Sequence, residues 1–176
     1  MAIEEENKPL FTIRPLTTED RNWVAHFLDK HWASTKVVSR GKAYYAHLLP
    51  GFVAELSDAP EDAEPAGLIT YRIDDETKDK SCEVMTVDAV QKRQGVGTAL
   101  LDAMKAVAKE NGCKRLWLII TNDNMEALTF YQKRGFSLVA VHAGSLAESR
   151  KLKPQIPLVG KHNIPLRDEI ELELKL

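Results

Sequence analysis

The sequence predicts a mixed α/β fold, of the α+β type, and three observations support this prediction. Residues 81–121 contain a strand pattern, an amphipathic helix and an apolar strand in succession, which is the order of a right-handed βαβ unit with parallel strands. Shorter strand patterns precede and follow this unit. The 176 residues are 44% apolar and 28% charged, which is ordinary for a soluble protein. We therefore expect one domain spanning residues 1–176.

Charge and cysteine content argue against several classes of protein. The net charge is −2 and the isoelectric point is about 6.2, so no overall basic field attracts nucleic acid or a membrane surface. Cys82 and Cys113 are too few for a disulfide framework or a zinc site, and the histidines show no metal-ligand spacing. The sequence shows neither a signal peptide nor a membrane-spanning apolar run. We expect a cytoplasmic protein with no metal, nucleic-acid or membrane partner.

The first half of the chain is predicted to alternate strands and helices. LFTIRPL predicts a first strand, and TTEDRNWVAHFLDKHW predicts a helix capped by Thr17 or Thr18. GKAYYAHLL predicts a second short helix, which Pro50 and Gly51 end. FVAEL and AGLITYRI predict neighbouring strands, joined by the acidic, proline-containing loop SDAPEDAEP.

The central βαβ unit carries the strongest pattern. SCEVMTV predicts a strand, and LWLII predicts a strand that is covered on both faces. The helix between them is predicted over residues 95–111, with Asn111 and Gly112 as its C-terminal stop. Its apolar positions follow the spacing of a core-facing helix, and they are Val96, Ala99, Leu100, Ala103, Met104, Val107 and Ala108.

The last third of the chain predicts a helix over MEALTFYQKRGF, closed by Gly135, and strands over FSLVAVHA and DEIELELKL. The alternating acids of DEIELELKL are typical of a strand with one exposed face. Residues 143–167, between these strands, are rich in proline, lysine and arginine and are long for a simple connection. They form either a cationic lid over a cleft, which would suit an anionic acceptor, or a solvated surface.

Two glycines, Gly95 and Gly97, stand where the central helix begins. Free N–H groups and the helix dipole at this position favour an anion such as a phosphate, and glycines let it approach the backbone. The alternative is a turn that simply requires glycine. A dinucleotide fingerprint would need glycine where Leu100 stands, and a P-loop would need Gly-Lys-Ser/Thr, which is absent.

The stretch Lys92-Arg93-Gln94-Gly95-Val96-Gly97 resembles the acyl-CoA-binding turn of the GNAT superfamily of N-acyltransferases, Arg/Gln-x-x-Gly-x-Gly/Ala, although Lys92 replaces the usual Arg or Gln. TNDNMEALTFYQKRGF resembles a second motif of that family, Asn-x-x-Ala-x-x-Phe-Tyr-x-x-x-Gly-Phe. The resemblance is clear over residues 65–142. It implies the GNAT fold, a mixed and mostly antiparallel central sheet with a splayed parallel strand pair and flanking helices. The second motif matches at Asn124, Ala127, Phe130, Tyr131, Gly135 and Phe136.

The resemblance also implies an acetyl-CoA site. The pyrophosphate would bind the amides of residues 93–98, and the pantetheine arm would pair with the strand at Met85 and Val87, as an added strand does. Asn124 would steady this arm. The cofactor-binding residues implied are Met85, Thr86, Val87, Lys92, Arg93, Gln94, Gly95, Val96, Gly97, Thr98 and Asn124.

Two residues are candidates for catalysis. The resemblance implies that Tyr131, a phenol that stays protonated at neutral pH, donates a hydrogen bond or a proton to the leaving thiolate. Glu83 is expected to share a strand face with Met85 and Val87, because side chains alternate with period two, and it is the candidate base. The alternative is that Glu83 is an acid at a strand edge, in solvent or paired with Lys80 or Arg72. Cys82, on the opposite face, is expected to be a buried hydrophobe rather than a nucleophile.

Residues outside the two motifs offer weaker candidates for the acceptor pocket. His31 and Trp32, at the end of the first helix, either line that pocket or pack on the core. Arg40, Tyr44 and Tyr45 are candidates for contact with the substrate.

The favoured function is an acetyl-CoA-dependent N-acetyltransferase that works by direct transfer in a ternary complex. The alternative is a GNAT-like domain that binds acyl-CoA as a sensor or structural ligand without turnover. The sequence does not distinguish a small-molecule acceptor from a peptide amine. The family resemblance implies a homodimer as one option.

Overall fold

A computed structural model describes residues 9–90 and 94–176 of the chain. Within these residues the fold contains four α-helices: α1 (Arg21–Trp32), α2 (Val96–Glu110), α3 (Met125–Gln132) and α4 (Ser145–Leu152). The strands of the described residues are β1 (Phe11–Pro15), β2 (Lys36–Ser39), β3 (Lys42–Tyr45), β4 (Gly51–Leu56), β5 (Gly67–Asp74), β6 (Ser81–Ala89), β7 (Arg115–Thr121), β8 (Ser137–His142) and β9 (Glu169–Lys175).

Seven of the strands form one sheet, in the order β1-β4-β5-β6-β7-β9-β8, while β2 and β3 form a separate hairpin. Neighbouring strands of the large sheet are antiparallel except for β6 and β7, which are parallel and joined through α2. The C-terminal strand β9 lies between β7 and β8. The predicted fold class, a mixed and mostly antiparallel sheet with one parallel pair and flanking helices, is confirmed.

Helices cover both faces of this sheet. On one face α2 buries Leu100, Met104 and Ala108 in the main core, because these residues recur at helical spacing. Aromatic and apolar residues of α3 pack in the same core. On the other face, α1 buries Val24, Phe27 and Leu28 against Leu68 of β5. The sheet therefore separates two apolar clusters, and the βαβ unit predicted from the sequence forms the larger one.

The boundaries of α2 agree with the prediction to within one residue. The helix begins directly after Gly95 and ends before Asn111 and Gly112. Gly112 has a φ of 74°, and its N–H donates to the carbonyl of Lys109. Gly112 thus ends the helix in the left-handed conformation that glycine adopts readily.

The predicted second helix at GKAYYAHLL is wrong. Residues 42–45 form β3, which pairs with β2, and only Ala46–Leu48 form a short 3₁₀ turn. The two strands are joined by Arg40 and Gly41, with φ values of 48° and 74°. Two consecutive positive φ values give a tight turn whose twist matches that of a hairpin.

The acids of β9 are not on an exposed face, contrary to the prediction from their alternation. Glu169 and Glu171 are only 4% and 3% exposed. Glu171 lies within salt-bridge distance of Arg40, Arg115 and His142. The acidic face is buried because cations and hydroxyls from distant parts of the chain cover it.

Across residues 9–90 and 94–176, none of the helices combines the length and the apolar character needed to cross a membrane.

Candidate active site

The parallel strands β6 and β7 separate soon after they begin to pair. Their pairing covers only Ser81–Glu83 of β6 and Arg115–Trp117 of β7, although both strands continue beyond it. Within the described residues, the β7-facing edge of β6 therefore has no strand partner after Glu83. This edge presents backbone groups that can pair with an extended ligand.

An irregularity in β6 lies at the start of this gap. Thr70 of β5 faces Thr86, whereas the next residue, Tyr71, faces Val84. Met85 is therefore an extra residue in β6, which is the definition of a β-bulge. The bulge bends the strand where it leaves its parallel partner.

The bulge also changes which side chains share a face. Val87 packs in the same apolar cluster as Cys82 and Val84, on the α2 side of the sheet. Glu83 points away from that cluster, toward the β2–β3 hairpin. The prediction that Glu83 and Val87 lie on one face is wrong, because the extra residue shifts the alternation by one position.

Two cavities lie on either side of the splayed strands. The smaller, of about 280 Å³, lies between the β2–β3 hairpin, the β6–β7 gap and the segment containing α4. The larger, of about 570 Å³, lies at the N-terminus of α2 and along α3. Because the cavities share wall residues, they form one bent cleft. The shared residues are Trp32, Val87, Asn124, Ala127 and Tyr131.

The larger cavity ends at the glycine turn before α2. Gly95 has a φ of 79°, and no atom lies within 4 Å of the position that a Cβ would occupy. Its surroundings are thus open to a ligand. Gly97 has a different role, because a Cβ there would lie 3.2 Å from the ring of Phe130. The absence of a side chain at Gly97 lets α2 and α3 approach each other.

Arg134, which the sequence analysis did not single out, brings a guanidinium group to this turn. Its Nε donates to the Thr98 hydroxyl at 3.0 Å, and its Cζ lies 3.6 Å from the centre of the Phe130 ring. Arg134 lines the larger cavity together with Gly95, Val96 and Thr98. The helix N-terminus and this cation together favour an anion. Arg134 directly precedes Gly135 of the second motif, and this position was the signal in the sequence that could have identified it.

Three predicted phosphate ligands precede this turn. Lys92 and Arg93 lie outside the described residues. Gln94 is exposed and is not part of the cavity wall. Among the described residues, the predicted phosphate ligands that line the cavity are therefore Gly95, Thr98 and the residues between them.

Asn124 and Tyr131 both face the junction of the two cavities. The Asn124 side-chain oxygen accepts a hydrogen bond from the N–H of Ala127 at 3.2 Å, which caps α3. Its amide nitrogen remains a donor toward the cleft. Tyr131 is 6% exposed, and burial raises its pKa above the ordinary value. Within the described residues its hydroxyl has no hydrogen-bond partner, so a neutral donor is available at the junction.

Glu83 lies in the wall of the smaller cavity and is 2% exposed. Its carboxylate accepts hydrogen bonds from the Ser39 hydroxyl and, at 3.1 Å, from Arg72. Burial raises the pKa of Glu83, and this effect exceeds the opposing effects of Ser39, Arg72 and Arg40. The interpretation of Glu83 as an acid in solvent is wrong, whereas its pairing with Arg72 is correct.

The Met85–Val87 segment is positioned as predicted beside the gap. Met85 and Thr86 are 6% and 2% exposed, and the Thr86 hydroxyl lies 2.6 Å from that of Thr70. All three residues of the segment contribute to the wall of the smaller cavity. Cys82 is buried in the core, where desolvation raises its thiol pKa to about 12. This is the environment of an unreactive thiol.

Of the remaining candidates, some line the cleft and the others lie outside it. Trp32 belongs to both cavities, and His31 lies in the wall of the larger one, where its Nε2 is 3.0 Å from Glu64. Arg40 instead lies over the Trp117 ring at 4.9 Å. Tyr44 and Tyr45 are also absent from the walls of the two cavities.

Comparison with known proteins identifies the family. The sequence model described as "Acetyltransferase (GNAT) family" matches residues 17–136. The chain belongs to the GNAT acetyltransferase family. This confirms the resemblance seen in the two motifs, and the splayed pair β6–β7 agrees with the fold that the resemblance implied.

Individual GNAT relatives resemble the chain over most of its length. The uncharacterised protein YxbD of Bacillus subtilis (strain 168) is 37% identical over 164 residues, which is 93% of this chain and 98% of YxbD. A GNAT family acetyltransferase from Elizabethkingia anophelis, solved with acetyl-CoA bound, has a TM-score of 0.64 at 18% identity, covering 96% of this chain and 100% of the other. Arabidopsis thaliana NAA60, solved in complex with acetyl-CoA, has a TM-score of 0.69 at 13% identity, covering 94% and 98%. These likenesses in structure support the GNAT fold.

The GNAT site also contains charged residues that sequence reasoning missed. Glu169 lies in the wall of the smaller cavity, where its Oε1 accepts a hydrogen bond from Ser149 at 3.1 Å. Lys153, Leu146 and Ile156 line the same cavity, so residues 143–167 do fold over the cleft. Exposed Lys151, paired with Glu148, shows that part of this segment is also solvated surface. Among the described residues, no group of three or more His, Cys, Asp or Glu is arranged to hold a metal ion.

Proposed function

We propose that this chain is an acetyl-CoA-dependent N-acetyltransferase, which transfers the acetyl group to a primary amine by direct attack within a ternary complex. The observation that carries the proposal is the position of Tyr131. Its hydroxyl, which has no partner among the residues that the structure describes, lies where the two cavities meet, between the glycine turn before α2 and a second cavity that contains a buried carboxylate. Such a bent cleft suits two substrates that meet at one point.

The larger cavity would hold the nucleotide end of acetyl-CoA. The N–H groups around Gly95, Val96, Gly97 and Thr98 and the guanidinium of Arg134 would bind the diphosphate. Lys92, Arg93 and Gln94, which directly precede Gly95 in the sequence, would add charge and hydrogen bonds. The pantetheine arm would extend along the free edge of β6 beyond Glu83, with Asn124 as an additional donor.

The amine would approach from the smaller cavity. Its nitrogen attacks the thioester carbon, the C–N bond forms, and the C–S bond then breaks to release the thiolate. The Tyr131 hydroxyl donates a hydrogen bond or its proton to the sulfur, because its raised pKa keeps it protonated. Glu83 takes the proton that the amine loses, directly or through water. Its raised pKa makes it a stronger base than an exposed glutamate.

A binding module without turnover is the second function considered. It would need the anion-binding turn and the free strand edge, but neither a neutral phenol at the junction nor a buried base. The presence of both Tyr131 and Glu83 beside the smaller cavity favours the enzyme.

Two measurements test the proposal. Calorimetry with coenzyme A and acetyl-CoA should detect binding by the full chain, and a thiol-release assay with a broad panel of primary amines should detect turnover. Binding without release of thiol to any amine, including peptide amines, would favour the binding module. Absence of binding by folded protein would contradict both functions.

A further inference from the structure

The smaller cavity contains opposite charges that the fold leaves only partly paired. Glu83 and Glu169 lie in its wall on the side of the central sheet, and Lys153 lies in its wall at the end of α4. Most of its polar side chains have partners within the protein, as buried polar groups usually do. The Ser39 hydroxyl, for example, is bonded to Glu83.

Lys153 differs from these groups. It is half-buried, and within the described residues its ammonium group has neither an ion pair nor a hydrogen bond. A second cation, Lys36, repels the Lys153 ammonium, and the Nζ of Lys36 donates to the carbonyl of Leu152 at 3.3 Å. Burial and Lys36 both lower the pKa of Lys153, so a bound anion would offset both effects.

Lys153 is also separated from the turn before α2. It belongs to the smaller cavity only, whereas Gly95, Thr98 and Arg134 belong to the larger one. An anion beside Lys153 would therefore be part of a second substrate rather than the diphosphate of the first.

The acids line the same cavity as Lys153 without forming an ion pair with it. Glu169 has one hydroxyl partner, Ser149, and this serine precedes Lys153 by one helical turn on α4. Glu83 is the acid nearest the hairpin, through Ser39. Much of the remaining wall is apolar, and it includes Val37, Val38, Leu118, Leu146 and Ile156.

We propose that the acceptor is a small, largely apolar amine bearing an anionic group, whose amine faces Glu83 and Glu169 and whose anionic group pairs with Lys153. This inference rests on the proposed function and narrows its acceptor. The volume of about 280 Å³ suits a molecule of amino-acid size. A protein N-terminus or lysine would have to enter between the hairpin and the α4 segment, which both line this cavity. The carboxylates attract the protonated amine, and Lys153 selects against amines that lack an anion.

The test uses matched acceptors that differ mainly in whether they carry an anionic group, compared at equal concentrations of the unprotonated amine. Leucine, its phosphonate analogue and leucinamide share a side chain and an amine, and equivalent sets can be built on alanine and on ω-amino acids. With wild-type enzyme, kcat/KM should be about tenfold or more higher for the anionic members than for the amides. The carboxylate and phosphonate members distinguish the two sources of negative charge.

Variants then assign the effect to one residue. Lys153→Met should raise KM for the anionic acceptors about tenfold, with little change in kcat and none for the amides. Lys151→Met is the matched control, because Lys151 is a neighbouring lysine that pairs with Glu148 on the exposed side of α4. Lys153→Gln, checked for wild-type melting temperature, repeats the test if the methionine variant folds poorly.

The outcomes separate this inference from the function on which it rests. Equal use of amides and anionic amines, an equal effect of Lys153→Met on both, or transfer to peptide amines alone would overturn the inference while leaving N-acetyltransfer intact. Failure of every amine to release thiol would overturn the proposed function and this inference together.

Discussion

The Ser39 hydroxyl donates a hydrogen bond to the buried carboxylate of Glu83, a residue 44 positions further along the chain. This bond attaches the β2–β3 hairpin to the central sheet beside the cleft. It also lowers the pKa of Glu83, in opposition to the larger effect of burial. The hairpin therefore adjusts the basicity of the proposed base as well as covering the acceptor cavity.

Replacing Ser39 should shift the pH dependence of the reaction. Glu83 accepts a proton only when ionised, so kcat/KM falls as the pH drops through its pKa. Ser39→Ala removes an interaction that lowers this pKa, and the acid limb of the profile should move to higher pH. The measurement is kcat/KM against pH, with Ser137→Ala on the exposed edge strand as the control. An unchanged acid limb would remove Glu83 as the titrating base.

Glu83→Gln keeps the size of the side chain and removes the base. We expect turnover to fall about tenfold or more, with loss of the acid limb that reports Glu83. Glu169→Gln, a second buried carboxylate in the same cavity, should retain that limb. Kinetics of Glu83→Gln that match the wild type across the pH range would exclude this residue from the mechanism.

Tyr131→Phe tests the hydrogen-bond donor at the junction. We expect kcat to fall roughly 100-fold, because the leaving thiolate loses its donor. The affinity for coenzyme A and the melting temperature should change little, since the described protein offers the hydroxyl no partner. Tyr71→Phe is the matched control, because Tyr71 is buried in the core and lies outside both cavity walls. A variant Tyr131→Phe with wild-type kcat would show that the thiolate departs without it.

Arg134→Met should weaken the binding of coenzyme A about tenfold, because a cation is removed from the turn before α2. Acetyl-pantetheine, which lacks the diphosphate, should bind the variant and the wild type equally. The neighbouring Lys133→Met is the control, since Lys133 is exposed and outside the cavity wall. If calorimetry shows that the variant binds coenzyme A and acetyl-pantetheine equally more weakly, Arg134 acts by shaping α3 rather than by binding phosphate.

Gly95→Ala and Gly112→Ala separate backbone strain from ligand binding. Both glycines have positive φ, 79° and 74°, and a Cβ at either would meet no atom within 4 Å. Each variant should therefore lose about 1 kcal/mol of unfolding free energy. Only Gly95→Ala, at the cleft end of α2, should also weaken binding of coenzyme A. Equal affinities in the two variants would contradict a role of the Gly95 turn in binding.

Much of the fold could be predicted because its patterns are local. The apolar spacing of α2, its Asn–Gly stop and the apolar run of β7 all depend on residues close together in the chain. The same holds for Tyr131 and Asn124, which share one short helix and its cap. Such regularities specify an element and its buried face without reference to the rest of the molecule.

The predictions from sequence were wrong where residues distant in the chain decide the conformation. The bulge at Met85 is set by pairing with β5, so strict alternation along β6 misplaced Val87 relative to Glu83. The acids of β9 alternate like an exposed face, yet contacts from the hairpin and from α4 bury Glu169 and Glu171. Local spacing therefore determined most of the helices and strands and the two motifs. Tertiary contacts decided the bend in β6, the partners that neutralise the acids of β9 and the charges around the acceptor cavity. Charge burial depends on which side chains meet in space, and that information is not contained in the periodicity of any single segment.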